Sequence, residues 1–179
     1  MQFDHWFPTV IGIKNNPKHK KVETKLVKFC LDKKKKIKSG GSHWLSHETY
    51  NTSTTYNLTY EPLFLNLNKW VYDQIVEYCH YMEYEVELLC SGVWFNIYNK
   101  GDYQEYHRHA KDCISAIYIL SGHKKAAKTY LGNDKNAYRA HYEALPGNLL
   151  IFRSNTEHAV EKHLIADKRI TLAYNFRLK

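Results

Sequence analysis

Short segments rich in β-branched and aromatic residues, separated by Gly, Asn and Asp, make up the chain beyond Ser91-Gly92. Segments of this length at this spacing are typical of sandwiches and barrels. They predict strands at 92–98, 103–109, 113–120, 126–131, 137–144, 148–153 and 169–176. The second half of the chain is therefore predicted to fold as a jelly-roll-like barrel.

Two helices are predicted before these strands. After a strand-like opening at 6–13, the turn Asn15-Asn16-Pro17 leads into a basic segment with apolar residues at helical spacing, which ends at Ser39-Gly40-Gly41. Residues 42–60 are polar and favour loops or short strands, and we place no functional residue there. From Asn68 to Val86, apolar residues at i, i+3 and i+4 predict an amphipathic helix. Helices followed by strands indicate an α+β fold.

The length of the chain favours a single domain. With 179 residues and 44% hydrophobic content, it can bury one sizeable core but is short for two. We predict one domain over residues 1–179, with helical support in about 16–90 and the barrel core in about 91–179. No apolar run approaches the roughly 18 residues that span a bilayer, so no membrane partner is expected. The N-terminus lacks a basic segment followed by an apolar one, and the four cysteines are scattered, which favours the cytoplasm.

The net charge of +8 would suit an anionic partner. Much of it comes from Lys18, Lys20, Lys21 and the run Lys33 to Lys36. Clustered lysines are more often a solvated face, and this run has no interleaved aromatic or arginine side chains to stack on bases. A nucleic-acid partner is therefore only weakly supported.

Three histidines form a candidate metal site. Residues two apart on a strand point to the same face, so His107 and His109 can present two imidazoles to one ion, and His158 from a distant strand can add a third. An iron(II) ion held on one face by three ligands keeps three positions open for a chelating cosubstrate and dioxygen. Two alternatives remain: a chance pair in a chain with eleven histidines, and a loop role for His158.

Arg169 and Thr171 share one face of the final predicted strand, while Ile170 and Leu172 take the other. An arginine among inward-facing residues needs an anionic partner, because burying an unpaired guanidinium is costly. Its planar shape suits a carboxylate. The alternative is an arginine at the barrel rim, paired with an acidic side chain.

A fixed order of motifs runs through almost the whole chain. It comprises Phe7-Pro-Thr-Val, Trp94-Phe-Asn96-Ile-Tyr98, Gly101-Asp-Tyr103, His107-Arg-His109, Ser115-Ala-Ile-Tyr118-Ile-Leu, Pro146-Gly147, Leu149-Leu-Ile-Phe152, His158-Ala-Val160 and Arg169-Ile-Thr-Leu-Ala-Tyr-Asn175-Phe. In this order the chain resembles the 2-oxoglutarate and iron(II)-dependent oxygenase superfamily, most closely small oxygenases of marine bacteria and their phages, which are distantly similar to prolyl hydroxylases. The resemblance implies a double-stranded β-helix fold and a bacterial or phage-infected host cell.

The resemblance implies that His107, His109 and His158 are the iron ligands. Most of the superfamily has a carboxylate two residues after the first histidine, whereas this chain has His109. A neutral imidazole there leaves the site one negative charge poorer, which should weaken iron binding and raise the energy of oxidised iron states. Asp112 is the second choice for this ligand, although its odd offset from His107 would put it on the other face of a regular strand.

The resemblance also implies a cosubstrate site. Arg169 would bind the distal carboxylate of 2-oxoglutarate, and Thr171 would add a hydroxyl hydrogen bond beside it. Tyr98 and Asn96, two residues apart on one face, would lie near the cosubstrate, unless they belong to a strand face exposed to solvent. With Fe(II), 2-oxoglutarate and dioxygen, the implied activity is hydroxylation of a C–H bond in a protein residue or a small molecule, with release of succinate and CO2.

Two other functions stay open. Three histidines on a metal are also typical of cupin-type enzymes that do not use 2-oxoglutarate, but these would not need Arg169 and Thr171. A non-catalytic module with a basic surface would dock on nucleic acid or an acidic protein, and would show salt-sensitive binding to phosphate polymers.

Overall fold

The computed structural model describes residues 9–41, 44–84, 87–132 and 139–179, in which a helical first half is followed by a series of strands. The first half contains strand β1 (Gly12–Asn15), helix α1 (His19–Lys34), strand β2 (Tyr50–Asn51), a 3-10 turn (Pro62–Phe64) and helix α2 (Leu65–Tyr81). The second half contains β3 (Leu88–Tyr98), β4 (Gln104–His107), β5 (Ile114–Ser121), β6 (Thr129–Leu131), β7 (Ala140–Tyr142), β8 (Asn148–Arg153), β9 (His158–Val160) and β10 (Arg169–Leu178).

The strands form two antiparallel sheets. The major sheet has the order β1-β8-β5-β10-β3-β2, and the minor sheet has the order β4-β9-β6-β7. Side chains of both sheets, such as Asn96 and His158, line one interior cavity between them. This arrangement confirms the predicted α+β jelly-roll fold, a double-stranded β-helix with helices in the first half.

The hydrophobic core lies between the helices and the outer face of the major sheet. Leu26 of α1 and Ile75 of α2 pack in one cluster with Phe95, Ile170 and Leu172 from the strands. The burial of these side chains supplies the main favourable free energy of folding. Because strand residues alternate between faces, every second residue of β10 from Ile170 to Phe176 packs in this core, and those from Arg169 to Asn175 line the interior cavity.

Helix α1 ends at Lys34, five residues before the predicted end near Ser39. Beyond it the chain turns, with the N–H of Ile37 donating to the carbonyl of Lys33. The hydroxyl of Tyr50 then donates to the carbonyl of Ile37 at 2.9 Å, so contacts with β2 fix the segment after the helix. Tertiary contacts therefore end the helix earlier than the sequence pattern predicted.

Helix α2 is confirmed, with shifted ends. It begins at Leu65 directly after the 3-10 turn opened by Pro62, rather than at Asn68. It ends at Tyr81, because Glu83 adopts the left-handed conformation with a φ of 55°. Val86 lies outside the described residues.

Each predicted strand overlaps an observed strand, although residues 137 and 138 lie outside the described part of the chain. The series of predicted strands omitted β9, although His158 was expected on a distant strand and does lie on β9. All four cysteines are free thiols, as their scattered spacing predicted. Among the described residues, no helix has the length and apolar character needed to cross a bilayer.

Candidate metal centre

The structure brings the three predicted histidines together. In the pairing of β4 with β9, His107 lies directly opposite His158, and their ring centroids are 4.1 Å apart. The ring of His109 lies 5.1 Å from that of His107 and 5.2 Å from that of His158. One nitrogen from each ring lies within 4.8 Å of the other two, a spacing that could hold one metal ion.

His109 reaches this position differently from the sequence prediction. A strand was predicted over 103–109, but β4 ends at His107, and His109 lies on the turn that follows. The N–H of His109 donates to the carbonyl of Ser154 at 2.9 Å, and its carbonyl accepts from the N–H of Asp112 at 3.2 Å. The alternation of a strand therefore does not explain why the two histidines point to one place.

Backbone carbonyls orient two of the imidazoles. The Nδ1 of His107 bonds the carbonyl of Glu105 at 2.9 Å, and the Nδ1 of His158 bonds the carbonyl of Thr156 at 3.0 Å. A carbonyl only accepts, so each Nδ1 carries the ring proton and each Nε2 keeps a free lone pair. Hydrogen bonds made by the ring nitrogen that does not bind the metal fix the tautomer and orientation of metal-binding histidines.

Burial keeps the three rings neutral. It lowers the pKa of His107, and it lowers the pKa of His109 to about 4 with help from neighbouring His107. The pKa of His158 lies well below its usual value, first because of burial and then because of the two other imidazoles. Neutral imidazole is the form that binds metal ions, so the cluster needs no deprotonation near neutral pH.

A buried arginine lines the same interior cavity as the three histidines. Arg169 is completely buried, and its Nη2 donates to the hydroxyl of Thr129 at 2.7 Å. Within the described residues, its Nε and Nη1 have no hydrogen-bond partner. The guanidinium lies over the ring of Tyr98, 4.8 Å from the centroid. A buried cation with unpaired N–H groups favours an anionic ligand.

Polar residues of β3 and β10 surround this arginine. In the strand pairing, Arg169 lies opposite Tyr98 and Thr171 opposite Asn96, whose amide donates to the Thr171 hydroxyl at 3.3 Å. All four side chains line the interior cavity and are buried, so a solvent-facing position for Asn96 and Tyr98 is wrong. A rim position for Arg169 is wrong for the same reason.

Asp112 does not point to the histidine cluster. Its Oδ1 accepts from the hydroxyl of Ser91 at 2.5 Å, and its Oδ2 accepts from the amide of Asn175 at 3.1 Å. Among the described residues, the group of close ligand atoms consists of the three histidines without it.

Three residues at the site were not predicted. Thr129, on the short strand β6, is the hydrogen-bond partner of Arg169. Trp44, from the segment to which no function was assigned, lies with its ring 5.8 Å from that of His107. Glu105 accepts hydrogen bonds from the N–H groups of Leu45 and Ser46, which tie that segment to β4. No sequence motif marks these residues, because each contact joins distant parts of the chain.

The comparisons with known proteins agree with this geometry. The family model described as "Putative 2OG-Fe(II) oxygenase" matches residues 92–175, a range that contains the three histidines, Arg169 and Thr171. No curated protein matches the sequence. These findings confirm the resemblance to the superfamily, whereas the narrower resemblance to bacterial and phage oxygenases stays a prediction.

Solved structures with the same fold include several prolyl hydroxylases. A prolyl-4-hydroxylase from Pseudomonas putida has a TM-score of 0.69 and 11% identity over 94% of this chain and 92% of its own. A prolyl hydroxylase from Trichoplax adhaerens, in complex with a peptide fragment of hypoxia inducible factor, has a TM-score of 0.71 and 12% identity, covering 93% and 83%. The viral collagen prolyl hydroxylase of Paramecium Bursaria Chlorella virus-1, as a 2-oxoglutarate complex, has a TM-score of 0.66 and 12% identity, covering 93% and 94%.

Proposed function

We propose that this chain, whose residues 92–175 match the family model described as "Putative 2OG-Fe(II) oxygenase", is a 2-oxoglutarate and iron(II)-dependent oxygenase. It would hydroxylate a C–H bond of its substrate at a metal centre formed by His107, His109 and His158. The observation that supports this proposal is the presence, in one cavity, of three converging imidazoles and a buried arginine with unpaired N–H groups. The imidazoles suit the metal ion, and the arginine suits the cosubstrate.

The histidine cluster suits iron(II). Imidazole nitrogen is a good ligand for this ion, and three ligands on one face leave room for other molecules to bind. The carbonyls of Glu105 and Thr156 hold two rings in the tautomer that offers Nε2. Iron(II) bound there with 2-oxoglutarate and dioxygen supplies the oxidising chemistry, in which one oxygen atom enters the C–H bond and the other enters succinate, with loss of CO2.

The buried arginine suits the distal carboxylate of 2-oxoglutarate. Among the described residues, the buried Nε and Nη1 of Arg169 have no hydrogen-bond partner, so an anion there would give them one. Thr129 and Tyr98 hold the guanidinium in place through a hydrogen bond and a cation–π contact. Thr171, beside it on β10, would add its hydroxyl to the same carboxylate.

The buried arginine favours the proposed function over that of a cupin-type metal enzyme. An enzyme that binds only a metal and its substrate gains nothing from a partly unpaired guanidinium buried between the sheets, which costs free energy in the absence of an anion. As for the substrate, the fold is shared with a prolyl hydroxylase bound to a peptide fragment. Peptides are therefore the first substrate class to test.

Anaerobic addition of iron(II) and then 2-oxoglutarate tests the proposal. We expect a weak visible absorption band when the 2-oxo acid binds the metal. The band should disappear in Arg169→Ala and persist in Lys168→Ala, an exposed neighbour that serves as the matched control. Metal binding without the band would favour the cupin alternative, and the absence of metal binding would refute the metal centre.

A further inference from the structure

His109 differs from the other two proposed ligands in how the fold holds it. His107 and His158 face each other in the pairing of β4 with β9, so the strand pairing fixes both. His109 lies beyond the end of β4 and takes part in no described strand. Its backbone makes two hydrogen bonds, one to Ser154 and one from Asp112, and its ring lies 6.0 Å from that of Trp94.

Side chains connect these two backbone partners to each other. The hydroxyl of Ser115 lies 2.8 Å from that of Ser154 and donates to the Oδ1 of Asn175 at 2.8 Å. The amide of Asn175 in turn donates to the Oδ2 of Asp112 at 3.1 Å. The hydrogen bonds and the chain between them therefore form a closed ring that contains both backbone polar groups of His109.

The direction of the donors explains why the series of side-chain hydrogen bonds ends on a carboxylate. Ser115 gives its only proton to Asn175, so Ser154 must donate to Ser115. All donors then point towards Asp112, which also accepts from Ser91 at 2.5 Å. An ionised carboxylate is a pure acceptor and the strongest end for such a series.

The ring lies largely inside the protein. Ser154, Ser115 and Asn175 are 0%, 2% and 6% exposed. Ser115 and Asn175 also line the interior cavity, on the same face of the major sheet as Thr171. Water therefore cannot readily replace a lost member, and a break in this ring of hydrogen bonds should displace His109.

We propose that Asp112 is a positioning residue of the metal centre, which acts through Asn175, Ser115 and Ser154 to hold His109 where it can bind the ion. The proposal rests on the proposed function, since it takes His109 as a ligand. It assigns a role to the carboxylate of the turn without making it a ligand. It also accounts for how His109 is held although it lies outside the strand pairing.

The test compares cobalt(II) binding by the purified protein and three variants, with Co(II) as a spectroscopic substitute for iron. Asp112→Ala removes both hydrogen bonds of the carboxylate. Asp112→Asn removes the charge but can keep both bonds, because its oxygen can accept from Asn175 while its amide donates to Ser91. Asp73→Ala, an exposed acid paired with Lys69 on α2, is the control. The dissociation constant comes from tryptophan fluorescence, and the visible spectrum of Co(II) reports the ligand geometry.

We expect Asp112→Ala to weaken Co(II) binding by about 10–100-fold and to change the visible spectrum. Such an effect is typical when a residue that orients a metal ligand is lost. Asp112→Asn and Asp73→Ala should stay within about threefold of the wild type. An unchanged affinity and spectrum in Asp112→Ala would overturn the positioning role. An equal loss in Asp112→Asn would also overturn it, because charge rather than position would then matter.

Two further measurements keep the test decisive. If Asp112→Ala does not fold, Ser115→Ala breaks the ring at another bond, and an unchanged spectrum there would overturn the proposal. If the wild type binds no Co(II), the proposed metal centre itself is refuted. If the wild type binds Co(II) and His158→Ala does not, a normal Asp112→Ala variant refutes only the role of Asp112.

Discussion

His107 and His158 are hydrogen-bonded in the same way on opposite strands. Each donates its Nδ1 proton to the carbonyl two residues earlier in the chain, that of Glu105 or Thr156, and the two rings lie 4.1 Å apart. The local backbone thus turns both Nε2 atoms towards a common point before any ion arrives. Such preorganisation reduces the cost of ordering ligands upon binding.

Removal of His158 should therefore abolish metal binding. His158→Ala leaves two imidazoles, and we expect the affinity for Co(II) or Fe(II) to fall by more than the roughly 100-fold that marks the loss of an outer partner. Isothermal titration calorimetry under anaerobic conditions measures it. His80→Ala, an exposed histidine on α2, is the control. Equal metal content in wild type and His158→Ala would contradict the ligand assignment.

Thr129 should affect the cosubstrate rather than the metal. Thr129→Val keeps the shape of the side chain but leaves the buried Nη2 of Arg169 without its acceptor. We expect a loss of about 1–3 kcal/mol in the free energy of unfolding. The dissociation constant of 2-oxoglutarate should rise about tenfold, or about 1.4 kcal/mol.

Thermal unfolding and titration with 2-oxoglutarate check both effects of Thr129→Val. The exposed Thr55→Val should change neither. If 2-oxoglutarate binds equally well to the Thr129→Val variant, the hydrogen bond does not orient Arg169.

The parts of the site that follow from strand periodicity could be predicted from sequence. Arg169 and Thr171 share a face of β10, and Asn96 and Tyr98 share a face of β3, because side chains alternate with a period of two. The same rule gave a correct face for these four residues before their partners were known. It failed for His109, which lies on a turn where alternation does not apply.

The remaining contacts depend on long-range packing that leaves no local pattern. Thr129 meets Arg169 across 40 positions of the chain, and Trp44 reaches His107 from a polar segment without periodicity. The same holds for the early end of α1, which contacts with Tyr50 determine. Propensity describes a segment alone, so tertiary contacts of this kind override it.

The histidine at the start of α1 should make stability depend on pH. His19 is buried, and its Nδ1 lies 2.8 Å from the Tyr118 hydroxyl while its Nε2 lies 3.3 Å from the Glu23 carboxylate. Burial lowers the pKa of His19, an effect that Glu23 opposes. The unfolded state, with a histidine pKa near 6.5, then binds more protons than the folded state just below that pH.

Stability should therefore be full above about pH 6.5 and fall as the pH decreases through the window below it. The three histidines of the metal centre change the stability in the same direction. The effect of His19 is therefore the difference in pH dependence between the wild type and His19→Gln. We expect a shallower decrease for His19→Gln in urea unfolding of the metal-free protein between pH 5 and 7. Parallel curves would show that His19 does not contribute.

Glu105 should hold the segment that carries Trp44 against the metal centre. Its carboxylate accepts from the N–H groups of Leu45 and Ser46 at 3.1 and 3.2 Å and from the Ser46 hydroxyl. Burial raises the pKa of Glu105, but these hydrogen bonds outweigh it and lower the pKa overall, so the group is ionised near neutral pH. Hydrogen bonds to a charged acceptor contribute about 1.5–3 kcal/mol each.

In Glu105→Ala, we expect the amides of Leu45 and Ser46 to exchange with deuterium at least about tenfold faster, because both acceptors are lost. Hydrogen exchange followed by mass spectrometry resolves this segment from the rest of the chain. Glu161→Ala is the matched control, since Glu161 accepts the N–H of Lys128 at 2.8 Å and its loss should speed exchange around Lys128 rather than at residues 44–49. Unchanged protection of residues 44–49 in Glu105→Ala would show that other contacts hold Trp44 beside His107.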